Sequence, residues 1–338
     1  MRTFSRRAAM TAAAGTTAAL AIGGQAVAAA SASAETLLPT GRQYRISSGK
    51  QSLTVAEVGA ELRSWTVDGR AILAGHPDSS MGDSHMGKIL LPWSDRIAGS
   101  KYKFDGVEHE TPITEHWSGC AIHGLMYFAP WSLVKQESGR LVLGSVLYPQ
   151  YGYPFMLKFQ TEYVLAKTGL RVTLTATNVG DKAAPFGSGY HPYFKTDPLV
   201  DNAKLTIAAS TYLINDDKGV PVGRAPVAGT ANDFHTAKVI GAAPLDLAYT
   251  DLARTSAEST LAELETPDGH KVQLWADEKN KYLLVYSDDY AVDRPIRKAI
   301  AIEPVTGPGN SFNSGEGLIV LKPGQTFRST WGVRTNAL

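Results

Sequence analysis

The sequence predicts an all-β protein built as one large antiparallel β-sandwich. Three observations carry this. Apolar and polar residues alternate with period two in segment after segment, clusters of Gly, Pro, Asn and Asp separate those segments, and no amphipathic helical pattern is sustained after the first 34 residues. A chain of 338 residues with 43% apolar content can bury a large core, because at about 300 residues roughly three quarters of the unfolded surface goes inside. Neither a fixed-period repeat nor a low-complexity linker interrupts residues 35–338, so a single sandwich domain is expected there.

Taken in chain order, residues 1–34 stand apart. Arg2, Arg6 and Arg7 precede a weakly apolar Ala/Gly/Thr run from Ala8 to Ala30, and Ala32-Ser33-Ala34 offers a small-residue cleavage site before Glu35. An export signal is expected. The pair in SRRAAM resembles a twin-arginine signal, but Ala9 stands where such signals usually carry Phe, so the general secretory route stays open. The mature chain is therefore expected to be extracellular or in the cell envelope. No later stretch reaches about 18 uninterrupted apolar residues, so no membrane span is expected in it. Cys120 is the sole cysteine, which rules out an intrachain disulfide.

The strands follow from about residue 43. In LKFQTEYVLA, Leu157, Phe159, Tyr163 and Leu165 fall on one face with Lys158, Gln160 and Glu162 on the other. GLRVTLTATNVG repeats the pattern, with Val172, Leu174 and Ala176 opposite Arg171, Thr173, Thr175 and Thr177. Both read as half-buried antiparallel strands. Further strands are expected at AKLTIAAS, TLAELET, KVQLWAD, YLLVYSDD, GLIVLKPG and TFRSTWGV.

Charge narrows the function classes. With 33 Lys+Arg against 32 Asp+Glu, the formal charge of +1 supplies no basic field for nucleic acid or polyphosphate. A neutral small molecule fits best. There is no G-x-S-x-G elbow, P-loop or dinucleotide fingerprint. His109, His116 and His123 are spaced seven apart with Glu108, Glu110 and Glu115 nearby, but that spacing matches neither a helical face nor a short hairpin, so a solvated loop rather than a metal site is expected.

Four stretches hold more polar, aromatic and glycine content than turns require. In LLPWSDRIAGSKYKFDG, Arg96 is either a surface ion-pair residue or a rigid fork for ring and hydroxyl oxygens. In GCAIHGLMYFAPW, His123 is either a satisfied core histidine or a ligand-facing one. In SGYHPYFKT, Pro192 pushes His191 into extended backbone and removes a ladder donor, so the strand should end or bulge there and aim the imidazole out of the sheet. In AIAIEPVTGPGNSFNSGEG, Glu303 closes an apolar run and enters a Pro/Gly-rich loop, either solvated or held at the rim of the core; Glu316 reads as solvated.

Together these stretches resemble the aldose 1-epimerase (mutarotase) family. PWSDRIAGSKYKFDG is similar to its N-R-[IV]-x-x-[GA]-x-[YF] segment, AIHG to its LHG, GYHPYF to its xHPYF, and IEPVTGPGNSFNSGEG to its late Glu-bearing loop. PLDLAYTDL resembles the segment with the family's sugar-binding aspartate, here Asp246. The resemblance runs from about residue 45 to 333 in the family's order. It implies a mutarotase-like supersandwich with a sugar cleft and no cofactor or metal, in which Glu303 is the general base, His191 the general acid, and Arg96, His123 and Asp246 bind the sugar. Asp95 departs from the family's usual Asn and is a possible ion-pair partner of Arg96.

That chemistry exchanges anomers of free aldohexoses such as glucose and galactose. A proton leaves the C1 hydroxyl, one joins the ring oxygen, and the open aldehyde turns before reclosing; an acid and a base on opposite sides of the ring are expected. Arg96 and His123 would stabilise charge on the ring oxygen, and Trp93, Trp117, Tyr127, Tyr193 and Phe312 are candidate apolar faces for the sugar. The competing readings are a hexose-6-phosphate 1-epimerase, which needs an added basic clamp, a non-catalytic carbohydrate-binding sandwich, and a polysaccharide lyase or hydrolase with Asp246 as second carboxylate. The sequence leaves the oligomeric state open.

Overall fold

Period-two alternation turns into two facing sheets. The structure, a computed structural model, describes residues 37–290, 292 and 294–338; the expected export signal lies outside the described residues. Every ladder between strands is antiparallel, and Leu37–Leu338 form one compact unit. One sheet has nine strands in the order 132–137, 140–147, 157–166, 169–178, 326–335, 271–276, 260–265, 204–207 and 238–239. A second runs 221–226, 209–215, 246–252, 282–286, 299–305, 189–190 and 89–90, with 193–195 also paired to 299–305. A four-stranded sheet over 43–71 packs Leu53, Leu62 and Trp65 into the same core. The one α-helical element among the described residues is the turn Ser311–Ser314.

The interior is supplied by the residues that alternation assigns to it. Leu157, Phe159 and Tyr163 from one strand, and Val172 and Leu174 from the next, are buried in the core with Leu283, Val285, Ile300 and Ile302 of the opposing sheet. Tyr190 bridges the layers: its ring lies 5.3 Å from Trp331, and its hydroxyl is 2.9 Å from that of Thr161.

The same alternation positions the other face of the second sheet. Ile300 and Ile302 point into the sandwich, so Ala299, Ala301 and Glu303 point away from it. Directly paired residues share a face. Tyr193 pairs with Ala301, Ala301 with Tyr286, and Tyr286 with Asp246, which makes one row; Glu303 pairs with Leu284 in the next. That outer face is the floor of a cleft.

Candidate active site

The cleft encloses about 700 Å³ and gathers all five residues expected to act on the sugar: Arg96, His123, His191, Asp246 and Glu303. Glu303 comes from the strand 299–305. His191 sits in the expected strand break, between 189–190 and 193–195. Its own N–H donates to the Lys88 carbonyl (3.0 Å) and its carbonyl accepts from Gly87 N–H (2.8 Å), so the backbone is held on both sides while the imidazole leaves the sheet. The ring stacks on Tyr193 at 5.0 Å and 3°.

The candidate acid and base are closer than expected. His191 Nε2 lies 3.4 Å from Glu303 Oε1, side by side on the floor rather than on opposite sides of a sugar ring. The geometry is compatible with the chemistry expected, because the hydroxyl and ring oxygens that exchange protons are bonded to the same carbon and lie within reach of one adjacent pair. Glu303 is 2% and His191 5% exposed. Burial pushes the Glu303 carboxyl well above the usual carboxylate range, reinforced by Asp95 and Asp246 and opposed by Arg96. Burial likewise pushes His191 well below the usual imidazole range, with His85 adding to it. Both charged forms are disfavoured. Glu303 Oε2 and His191 Nδ1 are buried without a hydrogen-bond partner among the described residues.

Arg96 is a buried fork, not a surface ion-pair residue. Its Nε and Nη2 donate to the two carboxylate oxygens of Glu115 (2.6 and 2.9 Å), and Nη1 donates to Asp95 (3.2 Å) and to the Gly219 carbonyl (3.4 Å). Of its five N–H donors, one on Nη2 is left for a ligand, fewer than the several expected. Burial lowers the guanidinium's affinity for its proton, but Asp95 and Glu115 together more than offset this. Asp95, the departure from the usual Asn, is pushed up to about 6, chiefly by burial and against the pull of Arg96.

His123 is fixed by a reciprocal clamp. Its N–H donates to the Asp95 carbonyl (3.0 Å), and Asp95 N–H donates to its Nδ1 (3.1 Å). Nδ1 is therefore the acceptor and Nε2 carries the proton. Burial, then the neighbouring His85, His191 and Arg96, keep this ring neutral. Ser84, His85, Asp95 and His123 all line the cleft with positive φ, a concentration of backbone strain that marks functional sites.

Gly124 makes the His123 turn possible. Its φ is +81°, and a Cβ there would lie 2.0 Å from the Leu91 carbonyl oxygen, which already accepts from Leu125 N–H at 2.6 Å. Gly124→Ala is expected to cost about 3 kcal/mol or more. Gly106→Ala, at φ +80° with open space around it, should cost only the backbone term of about 1 kcal/mol. Urea unfolding of the two variants checks the difference; equal losses would show that the contact with Leu91 is unimportant.

Other expectations divide. Asp246 stands at the exposed edge of the floor, its carboxyl raised by burial among the walls and lowered by Arg96. Trp93 and Phe312 belong to the core, packed on each other at 5.7 Å, and present no face to the cleft. Tyr193 and Trp117 line it, while Tyr127 packs against His85 at 4.7 Å. His109 stacks on Tyr102 and His116 is exposed, so the three evenly spaced histidines are not brought together. Glu316 is not free in solvent: it accepts from Arg224 (2.6 Å) and from the Tyr282 hydroxyl.

Sequence reasoning missed Glu115 and His85. Glu115 reads as one more acidic loop residue, although the Trp and Gly two and four positions on announce a tight turn. His85 carries no motif; its ring lies 4.7 Å from His123 and 6.4 Å from His191, and burial pushes its pKa down to about 4.

The fold and cleft define a class: an antiparallel supersandwich with a buried carboxyl–imidazole pair at the floor of a polar pocket. A profile of the aldose 1-epimerase family matches residues 42–334, so the chain belongs to that family. It is 33% identical over 291 residues to an uncharacterized protein, YihR, of Escherichia coli (strain K12), covering 86% of this chain and 92% of the relative. It is 30% identical over 279 residues to the aldose 1-epimerase of the same organism, covering 74% and 78%. The GalM/aldose epimerase homologue from C. elegans shares the fold with a TM-score of 0.79 at 18% identity, covering 87% of this chain and 99% of that one.

Proposed function

We propose that the protein is an aldose 1-epimerase acting on free, neutral aldohexoses. The observation that carries this reading is the 3.4 Å contact between Glu303 and His191 on the cleft floor, each with a buried atom that lacks a protein partner. The pair holds one transferable proton. With that proton on the imidazole, the Glu303 carboxylate takes the C1 hydroxyl proton while His191 gives its own to the ring oxygen; the C1–O5 bond breaks and the aldehyde forms. Rotation about C1–C2 presents the other face, and the reverse transfers close the ring and restore the pair. His123 Nε2–H and the remaining Arg96 N–H donate toward charge on the oxygens, and Asp246 accepts from a hydroxyl.

The cleft walls favour a neutral sugar. Asp95, Glu115, Asp246, Asp289 and Glu303 line it, and Arg96 is the one Lys or Arg among its described lining residues. A phosphosugar would need the opposite balance. Polarimetry on freshly dissolved α-glucose and α-galactose should show decay accelerated by the protein, with glucose 6-phosphate at least tenfold less efficient. Equal decay with and without protein would leave a carbohydrate-binding module as the better reading. The first 34 residues further support work outside the cytoplasm, which N-terminal sequencing of exported protein near Glu35 would test.

The pH profile follows from the pair. A second proton removes the base, and loss of the last proton removes the acid, so the rate is expected to be bell-shaped. Burial lowers the imidazole, which places the acid limb below the ordinary histidine value of about 6.5; burial raises the carboxyl, which places the alkaline limb above the ordinary carboxylate value of about 4.3. Both limbs belong to the pair rather than to either residue. A profile with a single limb would mean that only one of the two titrates in the working protein.

A further inference from the structure

One imidazole of the cleft takes no part in the proton transfers. His85 lines the cavity beside His123 and His191. Its ring centroid lies 4.7 Å from that of His123 and 4.7 Å from that of Tyr127, both edge to face, and 6.4 Å from that of His191, nearly parallel at 20°. Among the described residues no group hydrogen-bonds its ring nitrogens, whereas His76 Nε2 meets Glu61 at 2.6 Å and His123 Nδ1 accepts from Asp95 N–H at 3.1 Å.

The turn that carries His85 is fixed at every residue around it. Asp83 pairs with Arg294 and accepts from Val292 N–H (2.6 Å), and the Ser84 carbonyl accepts from the Tyr193 hydroxyl (3.2 Å). The His85 carbonyl accepts from Lys88 N–H (3.0 Å), and Gly87 N–H donates to the His191 carbonyl (2.8 Å). His85 itself holds φ at +54°, a left-handed backbone that any residue with a Cβ adopts at a cost. Packing does not account for an imidazole in that position. A phenyl ring would make the same edge contacts with His123 and Tyr127 without bringing two polar nitrogens to a half-buried wall. Burial pushes the His85 pKa down to about 4, so at neutral pH one nitrogen donates and the other accepts, which matches a hydroxyl in either sense. A hydrogen-bonded oxygen sits about 3 Å from a ring nitrogen, so imidazoles with centroids 6.4 Å apart can address neighbouring oxygens of one pyranose.

We infer that His85 is a further sugar-contacting residue, whose imidazole hydrogen-bonds a non-reacting hydroxyl of the hexose while His191 serves the ring oxygen. The inference rests on the anomer-exchange reading above and deepens it.

Polarimetry and calorimetry on His85→Phe test it, with glucose and the four monodeoxy glucoses that lack the hydroxyl at C2, C3, C4 or C6. Phenylalanine keeps the ring contacts and removes both nitrogens. The KM for glucose should rise about five- to tenfold, with kcat within about twofold of wild type, because the contact is made equally before and during the reaction. For the one deoxy sugar that lacks the hydroxyl met by His85, the penalty should disappear. A KM unchanged in His85→Phe, or the same penalty for glucose and all four deoxy sugars, overturns the contact and leaves His85 a packing residue. If the phenyl ring is not accommodated and the variant does not fold, His85→Gly, which relieves the left-handed backbone, carries the same comparison across the five sugars. Wild type that leaves mutarotation unaccelerated defeats the anomer-exchange reading; the pattern of calorimetric affinities for the five sugars then decides the contact by itself, and a wild type that binds none of them overturns it as well.

Discussion

Replacing Glu303 by glutamine is expected to slow anomer exchange by about 10³-fold and to stabilise the folded protein at neutral and alkaline pH. The first effect is the loss of the base, which alone is worth roughly 10²–10⁴-fold. The second follows from burial. The carboxyl is 2% exposed, and its pKa in the folded protein is raised well above the unfolded value. Below the unfolded pKa both states hold the proton and no penalty exists. As pH rises from there toward the folded pKa, the unfolded chain alone releases its proton, so folding loses stability over that window. Glutamine has the same shape and nothing to ionise. It should therefore gain about 1 kcal/mol or more at pH 8 and nothing near pH 3. Polarimetry with urea unfolding at the two pH values checks both halves. A variant that keeps a tenth of the rate removes Glu303 from the chemistry, and a stability difference that does not change with pH removes the buried-acid argument. His191→Ala should cost at least tenfold in rate, a smaller effect because water can enter and donate in its place.

What the sequence made legible, and what it hid, divides along physical lines. Period two is enough to place Leu157, Phe159 and Tyr163 inside, and the same rule, applied to Ala299–Val305, sends Glu303 to the face opposite Ile300 and Ile302. Pro192 after His191 marks the break in the strand from local sterics alone. Sheet order is not local: strands 169–178 and 326–335 are neighbours although about 150 residues of chain lie between them, and no pattern within either segment names the other. The same holds for the site. Arg96 meets Glu115 because its strand, 96–97, pairs with 121–122, which follows the Glu115 turn, and the distance from Glu303 to His191 depends on how 193–195 registers against 299–301. Side-chain types tell what chemistry is available; long-range register decides who touches whom.

The second large effect is expected one layer behind the cleft, at Glu61. Its carboxylate is fully buried, meets the buried ammonium of Lys88, and lies 2.6 Å from His76 Nε2. This cluster anchors the segment that holds the catalytic candidate: the Lys88 carbonyl accepts from His191 N–H, and Gly87 N–H donates to the His191 carbonyl. Taking charges out of water is costly, and a buried pair balances that cost only while both partners are present. Glu61→Ala strands the Lys88 ammonium beside a cavity and should destabilise the protein by about 3–5 kcal/mol. Lys88→Met leaves the carboxylate with His76 as its remaining partner in the cluster and should destabilise the protein by less. The double variant Glu61→Leu/Lys88→Met removes both charges and retains apolar volume but leaves His76 Nε2 without Glu61, so it should recover part of the Glu61→Ala loss. Denaturant unfolding of the three variants decides the matter: if the double variant falls by the sum of the two single losses, the residues act independently and the cluster is not a coupled pair. Because Glu61, His76 and Lys88 do not line the cleft and connect to it through the backbone of His191, the double variant should show a lower kcat with little change in KM. A double variant with the wild-type kcat would mean that positions 87 and 88 hold His191 without help from the buried charges.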